Sequence, residues 1–486
     1  MESFKNYIDG TWQESKSGDT FETTNPADTD EVVSEFSLAH EEDANQAVEA
    51  ADAAQADWEE IPAPTRGKVL RETAKRLDDR KDELTETLVR EEGKTPAEAG
   101  PEVQRAVDIF YYYAERAMDY DGTVKKSSNR DRDLYTVREP MGVAGLVTPW
   151  NYPIAIPAWK MAPALATGNT LVIKPSVEAP TVLAKVFECL AEALEESDAP
   201  DGVANMVVGS GKEVGSTILE HDAVDTVSFT GSRKVGEMIY QQATDSQKRV
   251  QTELGSKNPT VVMPSADVEN AAQIVGNGAF GVTGQACTST ERALVHEEVY
   301  DEFVEELTSF ADDIDVGPGL EGADMGPQVT ESELEGTLDY IELAQEEGAT
   351  LEYGGERVED GDCENGFFIE PTIFTDTESD MRIMQEEVFG PFVGVMPISS
   401  LDEAIEVTND VEYGLSAGII SDNHSEVNRY IEEADFGVIK VNEKTTGLEL
   451  HVPFGGKKAS SSETYREQGD EGMDFFTIIK TVYDTS

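Results

Sequence analysis

From Met141 onward the chain alternates short apolar runs with stretches of helical periodicity. That alternation restricts it to folds in which a parallel sheet is covered by helices on both faces. Strand-like runs fall at residues 142–147, 170–173, 204–208 and 226–229, with helix-like segments at 158–166, 181–194, 213–220 and 235–243. A second series follows: a strand at 258–263, a helix over 268–281 that leads to Cys287, helices at 298–311 and 401–408, and a late strand at 437–442. The two series meet near Gly255, so two α/β domains are expected with a cleft between them, where such folds bind cofactors. Residues 41–118 read as charged helices, with Ala44, Val48 and Ala51, and later Val69, Ala74, Leu77, Leu84 and Leu88, at helical spacing.

The 486 residues exceed what one ordinary core needs, which agrees with more than one domain. Against 99 acidic residues stand only 37 basic ones, a formal charge of −62 spread along the whole chain. Such a surface repels nucleic acid and anionic membranes, so neither is expected as a partner. It resembles the composition of proteins that work in molar salt, where the Debye length falls to roughly 3 Å and self-repulsion fades. No run approaches the ~18 apolar residues of a membrane helix. Residues 1–10 carry no basic-then-apolar pattern, so a cytoplasmic protein is expected.

Three cysteines argue against a disulfide framework. Cys189 lies among apolar residues at helical spacing and reads as core, while Cys363 sits in the polar stretch 359–363 and reads as a surface loop residue. Cys287 is different. It follows Gly284-Gln285-Ala286 and precedes Thr288-Ser289, 34 residues after Glu253-Leu254-Gly255. A thiol and a carboxylate in two small-residue, turn-prone settings suggest a nucleophile and a general base. None of the five histidines lies in a nucleophile motif, which disfavours a thiol hydrolase, and no metal-ligand cluster is visible.

Other segments suit a dinucleotide. Phe229-Thr230-Gly231-Ser232 joins a strand to a helix, and small residues at a helix start admit a pyrophosphate. Gly209-Ser210-Gly211 is a weaker version of the same arrangement. Lys174, in Lys174-Pro175-Ser176, ends a buried strand where a ribose or phosphate would lie.

Taken in order, these segments resemble the aldehyde dehydrogenase superfamily from about residue 5 to the end. The markers are Pro149-Trp150-Asn151, residues 160–169, Ile173 to Ser176, Phe229 to Ser232, Glu253 to Pro259, Gly284 to Cys287, Glu386-Glu387-Val388-Phe389-Gly390-Pro391 and Pro453-Phe454-Gly455-Gly456. The resemblance implies a Rossmann-type dinucleotide-binding domain (1–119 and 139–254), an α/β catalytic domain (255–445) and a small β oligomerisation arm (120–138 and 470–486). It implies that Cys287 attacks the aldehyde, and that the Asn151 side chain and the Cys287 amide hold the oxyanion. It also implies that Glu253 activates water and that Lys160 relays protons. Lys174, Ser176, Trp150, Gly211, Gly231, Ser232, Glu387 and Phe389 would bind the dinucleotide. Relatives specific for NAD often carry a glutamate three residues after this lysine. Val177 stands there, with Glu178 one step on, so NADP is the preferred expectation, with NAD as the other.

The segment Thr445-Thr446-Gly447-Leu448-Glu449 before Pro453 is similar to that of the 2-oxoglutarate semialdehyde (2,5-dioxopentanoate) dehydrogenase group of pentose degradation. This implies that substrate, with succinic semialdehyde, glycolaldehyde or an aliphatic aldehyde as alternatives. Succinic semialdehyde relatives place arginines at positions held here by Trp159 and Val282, which leaves the donor for a substrate carboxylate unidentified. A CoA-acylating relative would have no use for Glu253, and a non-catalytic member no use for Cys287. The arm implies a homo-oligomer, a dimer or tetramer.

Overall fold

The computed structural model describes residues 2–485. Met1 and Ser486, the extreme ends of the expected first domain and arm, lie outside the described residues. Four helices open the chain after a strand-rich start: α1 (Glu41–Glu60), α2 (Ala63–Asp79), α3 (Lys81–Glu92) and α4 (Pro96–Asp119). Their starts carry local signals. The Asp43 carboxylate accepts from the His40 amide at 3.0 Å, and Glu98 accepts from the Thr95 amide at 3.0 Å with Pro96 in the first turn. Their apolar stripes bury Trp58, Leu70, Leu77, Leu88 and Phe110 in one core.

The first large sheet runs, edge to edge, Arg249–Glu253, Val224–Thr230, Val143–Val147, Thr170–Lys174, Ala204–Met206, Asn6–Ile8 and Thr11–Gln13. The first five strands are parallel, joined by crossovers that include α5 (Ala155–Thr167), α6 (Thr181–Glu195), α7 (Ser216–Glu220) and α8 (Arg233–Asp245). From Val143–Val147 the chain builds outward in one direction, then returns to place Val224–Thr230 on the other side. The strand order therefore reverses between these two strands, and a crevice opens at their carboxyl ends.

The second large sheet holds Thr350–Tyr353, Thr372–Thr375, Phe392–Ile398, Thr290–His296, Asn258–Val262, Ser416–Ile420 and Val438–Val441, parallel except for the first pair. Helices α9 (Val268–Ala279) and α10 (Tyr300–Asp312) follow its first two strands in sequence. The tail Thr477–Asp484 pairs along its whole length with Asp133–Pro140, and Val124–Lys125 completes that three-stranded sheet. No helix among the described residues is long and apolar enough to cross a membrane.

Several local expectations need correction. The helix expected at 213–220 opens with a π-helical turn, Gly211–Gly215, before α7 begins. The helix expected over 268–281 ends at Ala279, and Val282, Thr283 and Gly284 all take left-handed backbone with φ of 54°, 53° and 68°. Cys363 is buried against Ala27 and Phe368 rather than lying on the surface. Glu253 is the last residue of a buried strand rather than part of a turn. The strands of residues 2–37 were not anticipated; the longest, Asp28–Ser37, is masked by its acidic and polar residues.

Candidate active site

The carboxyl ends of the first sheet's strands carry Thr148 to Pro153 and Gly231-Ser232. These two loops face the amino ends of the second sheet's strands, and the side chain of Asn258, the first residue of one of those, donates to the carbonyls of Cys287 at 2.9 Å and Ser289 at 2.8 Å. Its own carbonyl oxygen accepts from the Ser416 amide at 3.0 Å. Asn258 thus fixes the cysteine loop to the sheet.

The approach to Cys287 is strained. Three consecutive left-handed residues include β-branched Val282 and Thr283, a costly conformation held only by surrounding contacts. The Val282 amide donates to Glu98 at 2.5 Å, and the Thr283 hydroxyl to the Gly326 carbonyl at 3.0 Å. A Cβ on Gly284 would lie 1.8 Å from the Gly390 carbonyl oxygen, so this position admits glycine alone.

Cys287 lines a cavity with Trp150, Asn151, Gly231, Ser232, Glu387 and Phe389. The Asn151 amide donates to the Gln285 carbonyl at 2.9 Å, which sets its orientation and leaves its second hydrogen free. Burial, followed by the charges of Glu387, Glu253 and Glu467, pushes the Cys287 thiol up. Trp150 meets Phe389 edge-on at 5.5 Å between ring centroids, and Phe389 itself has φ of 59°. Buried Glu291, unnoticed in the sequence, accepts from the Val388 and Phe389 amides at 3.0 and 3.1 Å and pairs with Lys257 at 2.5 Å.

A second cavity shares Trp150, Gly231 and Ser232 with the first, and adds Lys174, Ser176, Glu178 and Gly211. The Thr148 and Thr230 hydroxyls on its wall are buried without partners among the described residues, and α8 opens onto it at Ser232. The two cavities together offer a helix start, orphaned hydroxyls and a lysine, which fits a dinucleotide. Lys174 is buried, donates to the Pro175 and Gly209 carbonyls at 2.7 and 3.1 Å, and is pulled down to about 8 by burial. The Ser176 hydroxyl is bonded to the Glu178 carboxylate. Glu387 accepts from the Ser256 amide at 2.8 Å, and burial pushes its carboxyl up to about 8.

Two of the expected catalytic residues stand apart from this cavity. The Glu253 oxygens accept from the Gly456 amide at 2.9 Å and the Ser461 hydroxyl at 3.0 Å, so its side chain faces residues 456–461. Burial, then the charge of Glu467, pushes it up to about 8. Lys160 is buried in an ion pair with Glu467 and donates to the Ser228 hydroxyl at 2.6 Å. Sequence reading gave Glu467 no role, although Arg466-Glu467-Gln468-Gly469 resembles the same semialdehyde dehydrogenase group as residues 445–449.

A buried cysteine beside a fixed amide, opening into a crevice at a topological switch point, fits an enzyme built on two α/β halves. The aldehyde dehydrogenase family model matches residues 12–482, and the chain belongs to that family. It is 58% identical to the alpha-ketoglutarate semialdehyde dehydrogenase of Haloferax volcanii, with 99% of each chain covered. It is 41% identical to the 2,5-dioxopentanoate dehydrogenase of Saccharolobus solfataricus, over 96% of this chain and 97% of that one. Among solved structures, betaine aldehyde dehydrogenase of Staphylococcus aureus in complex with NAD+ matches with a TM-score of 0.95 at 35% identity, covering 100% of this chain and 95% of the other.

Proposed function

We propose that this enzyme oxidises 2,5-dioxopentanoate to 2-oxoglutarate with a nicotinamide dinucleotide, in the cytoplasm and as a homo-oligomer. The observation that carries the reaction class is the placement of Cys287 and the Asn151 amide in one cavity, continuous with the crevice that fits a dinucleotide. The relatives bearing the names alpha-ketoglutarate semialdehyde and 2,5-dioxopentanoate dehydrogenase support the substrate.

The Cys287 sulfur, once deprotonated, adds to the aldehyde carbon and forms a thiohemiacetal. The free N–H of Asn151 and the Cys287 amide hold the oxygen as it gains charge. Trp150, Gly231, Ser232, Glu387 and Phe389 would hold the nicotinamide end of a dinucleotide, which would supply the hydride acceptor that oxidation to a thioester needs. Glu253 takes a proton from water, and the resulting hydroxide attacks the thioester, releasing the acid and the Cys287 thiolate. Glu467, whose charge acts on Glu253, is paired with Lys160, and the two would carry its proton away.

Lys174, Ser176 and Gly211 would hold the adenosine end, with Trp150, Gly231, Ser232, Glu387 and Phe389 nearer the nicotinamide. Val177 leaves room for a 2′-phosphate and supports NADP, while Glu178, tethered by Ser176 in the same cavity, supports retained use of NAD. The two large sheets support a division into two α/β domains, and the tail Thr477–Asp484 offers an edge for a second subunit.

The test is a rate comparison in molar KCl of 2,5-dioxopentanoate, succinic semialdehyde, glycolaldehyde and hexanal, each with NADP and with NAD, followed by absorbance of the reduced nicotinamide. The highest kcat/KM is expected for 2,5-dioxopentanoate. A clear preference for hexanal overturns the assignment.

A further inference from the structure

Among the described arginines of the helical bundle, Arg66 and Arg105 have no acidic partner, and Arg66 is buried with its guanidinium bonded to the Glu59, Ile61 and Ala166 carbonyls. Arg71, Arg76, Arg80, Arg90 and Arg116 each pair with at least one carboxylate. In a chain with 99 acids that is unsurprising. Half-buried Arg105 instead donates to the carbonyl of Leu448, and no carboxylate pairs with it among the described residues.

Its place on α4 gives this a direction. Glu98, Glu102 and Arg105 follow one another at i, i+4 and i+7, so they form one stripe along the helix. Glu98 holds the Val282 amide on the cysteine loop at 2.5 Å. Glu102 holds the Ile154 and Ala155 amides, just after Asn151, each at 3.2 Å. Arg105 holds Leu448, in the loop that leads to Phe454, whose ring lies 6.1 Å from that of Trp159. The stripe therefore touches the nucleophile's loop, the oxyanion residue's loop and the outer loop in turn, over about 10 Å of helix.

An oxo-acid semialdehyde presents its charge at the opposite end from its aldehyde, roughly 5 Å away for a five-carbon chain. Along this stripe the one cation is Arg105, and it pairs with no carboxylate among the described residues. Two other cations lie near and are committed elsewhere. Lys94 pairs with Glu102 at 2.5 Å and bonds the Asn151 carbonyl, while Arg466 bonds the Gly456 carbonyl and its charge bears on Glu253. We infer that Arg105 receives the substrate's terminal carboxylate, exchanging its bond to Leu448 for a charge-assisted one. This supplies the donor that Trp159 and Val282 do not. A carboxylate is the ligand a guanidinium fork recognises best.

The inference rests on the oxo-acid reading above, and the experiment separates the two. Wild type, Arg105→Met and Arg105→Lys are assayed with 2,5-dioxopentanoate and with hexanal. In Arg105→Met the ratio of the two kcat/KM values should fall by about tenfold to a hundredfold, chiefly through KM for the oxo acid. Arg105→Lys should recover part of that loss, because it keeps the charge. A wild type that prefers the oxo acid, with a ratio unmoved in Arg105→Met, overturns the role of Arg105 alone. A wild type that prefers hexanal overturns the oxo-acid reading and this inference with it. Should Arg105→Met fail to fold by circular dichroism, Arg105→Lys decides: a lowered ratio supports the inference and an unchanged one overturns it.

Discussion

The carboxylate of Glu253 accepts a hydrogen bond from the Gly456 amide at 2.9 Å, while Leu254 and Gly255 beside it line the cavity that holds Cys287. Glu253 and Gly456 are separated by 203 positions in the chain. The Ser461 hydroxyl donates to the same carboxylate at 3.0 Å, so the group is held from both ends of the segment 456–461.

As the proposed base, Glu253 should govern the second half of the reaction. Its carboxyl is pushed up to about 8, so the active carboxylate accumulates as pH rises through that value. The rate of thioester hydrolysis should climb with pH and level off above about 8. Glu253→Gln should retain a first-turnover burst of reduced nicotinamide and lose roughly a hundredfold or more in steady-state rate. Stopped-flow absorbance separates the two phases, and an absent burst would count against this division of labour.

Asn258 shapes the loop of the proposed nucleophile without lining the cavity. Asn258→Ala would strip partners from the carbonyls of Cys287 and Ser289 and from the Ser416 amide. A loss of about 2–4 kcal/mol in stability is expected from the buried groups left unpaired. The burst rate should fall roughly tenfold or more as Cys287 drifts from its aligned position. Thermal melting in molar KCl and burst kinetics check the two effects independently.

The alternating segments between residues 142 and 263 were legible because each element is longer than its errors. The strands Val143–Val147 and Thr170–Lys174 begin or end within a residue of their expected places. The motifs likewise brought Cys287, Asn151, Trp150 and Glu387 to one cavity. What stayed hidden depends on contacts across long separations. The carboxylate of Glu253 is held by Gly456 and Ser461, and the left-handed run at Val282–Gly284 is held by Glu98, Gly326 and Gly390. Arg105, Glu102 and Lys94 sit in a segment whose acidic and basic residues all look alike as a solvated helical surface. Only the fold shows which of them face inward.

Buried Glu92 gives a stability prediction with a definite sign. Both carboxylate oxygens lack hydrogen-bond partners among the described residues, Lys94 lies 3.7 Å away, and burial pushes the carboxyl well above its ordinary range. Because the folded form holds the proton more tightly, this group's contribution to stability is full below the unfolded value of about 4.3. It is lost as pH rises through the folded value. Glu92→Gln removes that loss, so its melting temperature relative to wild type should increase with pH. A difference that stays flat between pH 5 and 9, or falls, contradicts the assignment.

Glu178 is placed to weigh the choice of dinucleotide. Held by Ser176 on the wall that includes Lys174, its charge opposes a 2′-phosphate and favours a 2′-hydroxyl. Glu178→Gln should therefore raise the ratio of kcat/KM for NADP to that for NAD, by about tenfold for a single charge-assisted hydrogen bond. The same assay at two KCl concentrations would show whether the shift shrinks as screening grows.

The charge of −62 predicts how the whole molecule responds to salt. Basic residues are too few to neutralise the acids pairwise, and many of the existing pairs are surface contacts such as Arg429 with Glu433 and Arg382 with Glu386. Such pairs contribute little once exposed and weaken further as salt rises. If they were the main source of stability, salt would destabilise the fold. If repulsion among the unpaired acids dominates, salt will stabilise it, because at about 1 M the Debye length of roughly 3 Å separates most of them. The excess of 62 unpaired charges decides for repulsion. The melting temperature should rise steeply with KCl up to about 1 M and more slowly beyond it. Replacing ten surface glutamates by glutamine should shift that rise to lower salt while leaving the high-salt plateau nearly unchanged; a melting temperature that falls as KCl increases would reverse the argument.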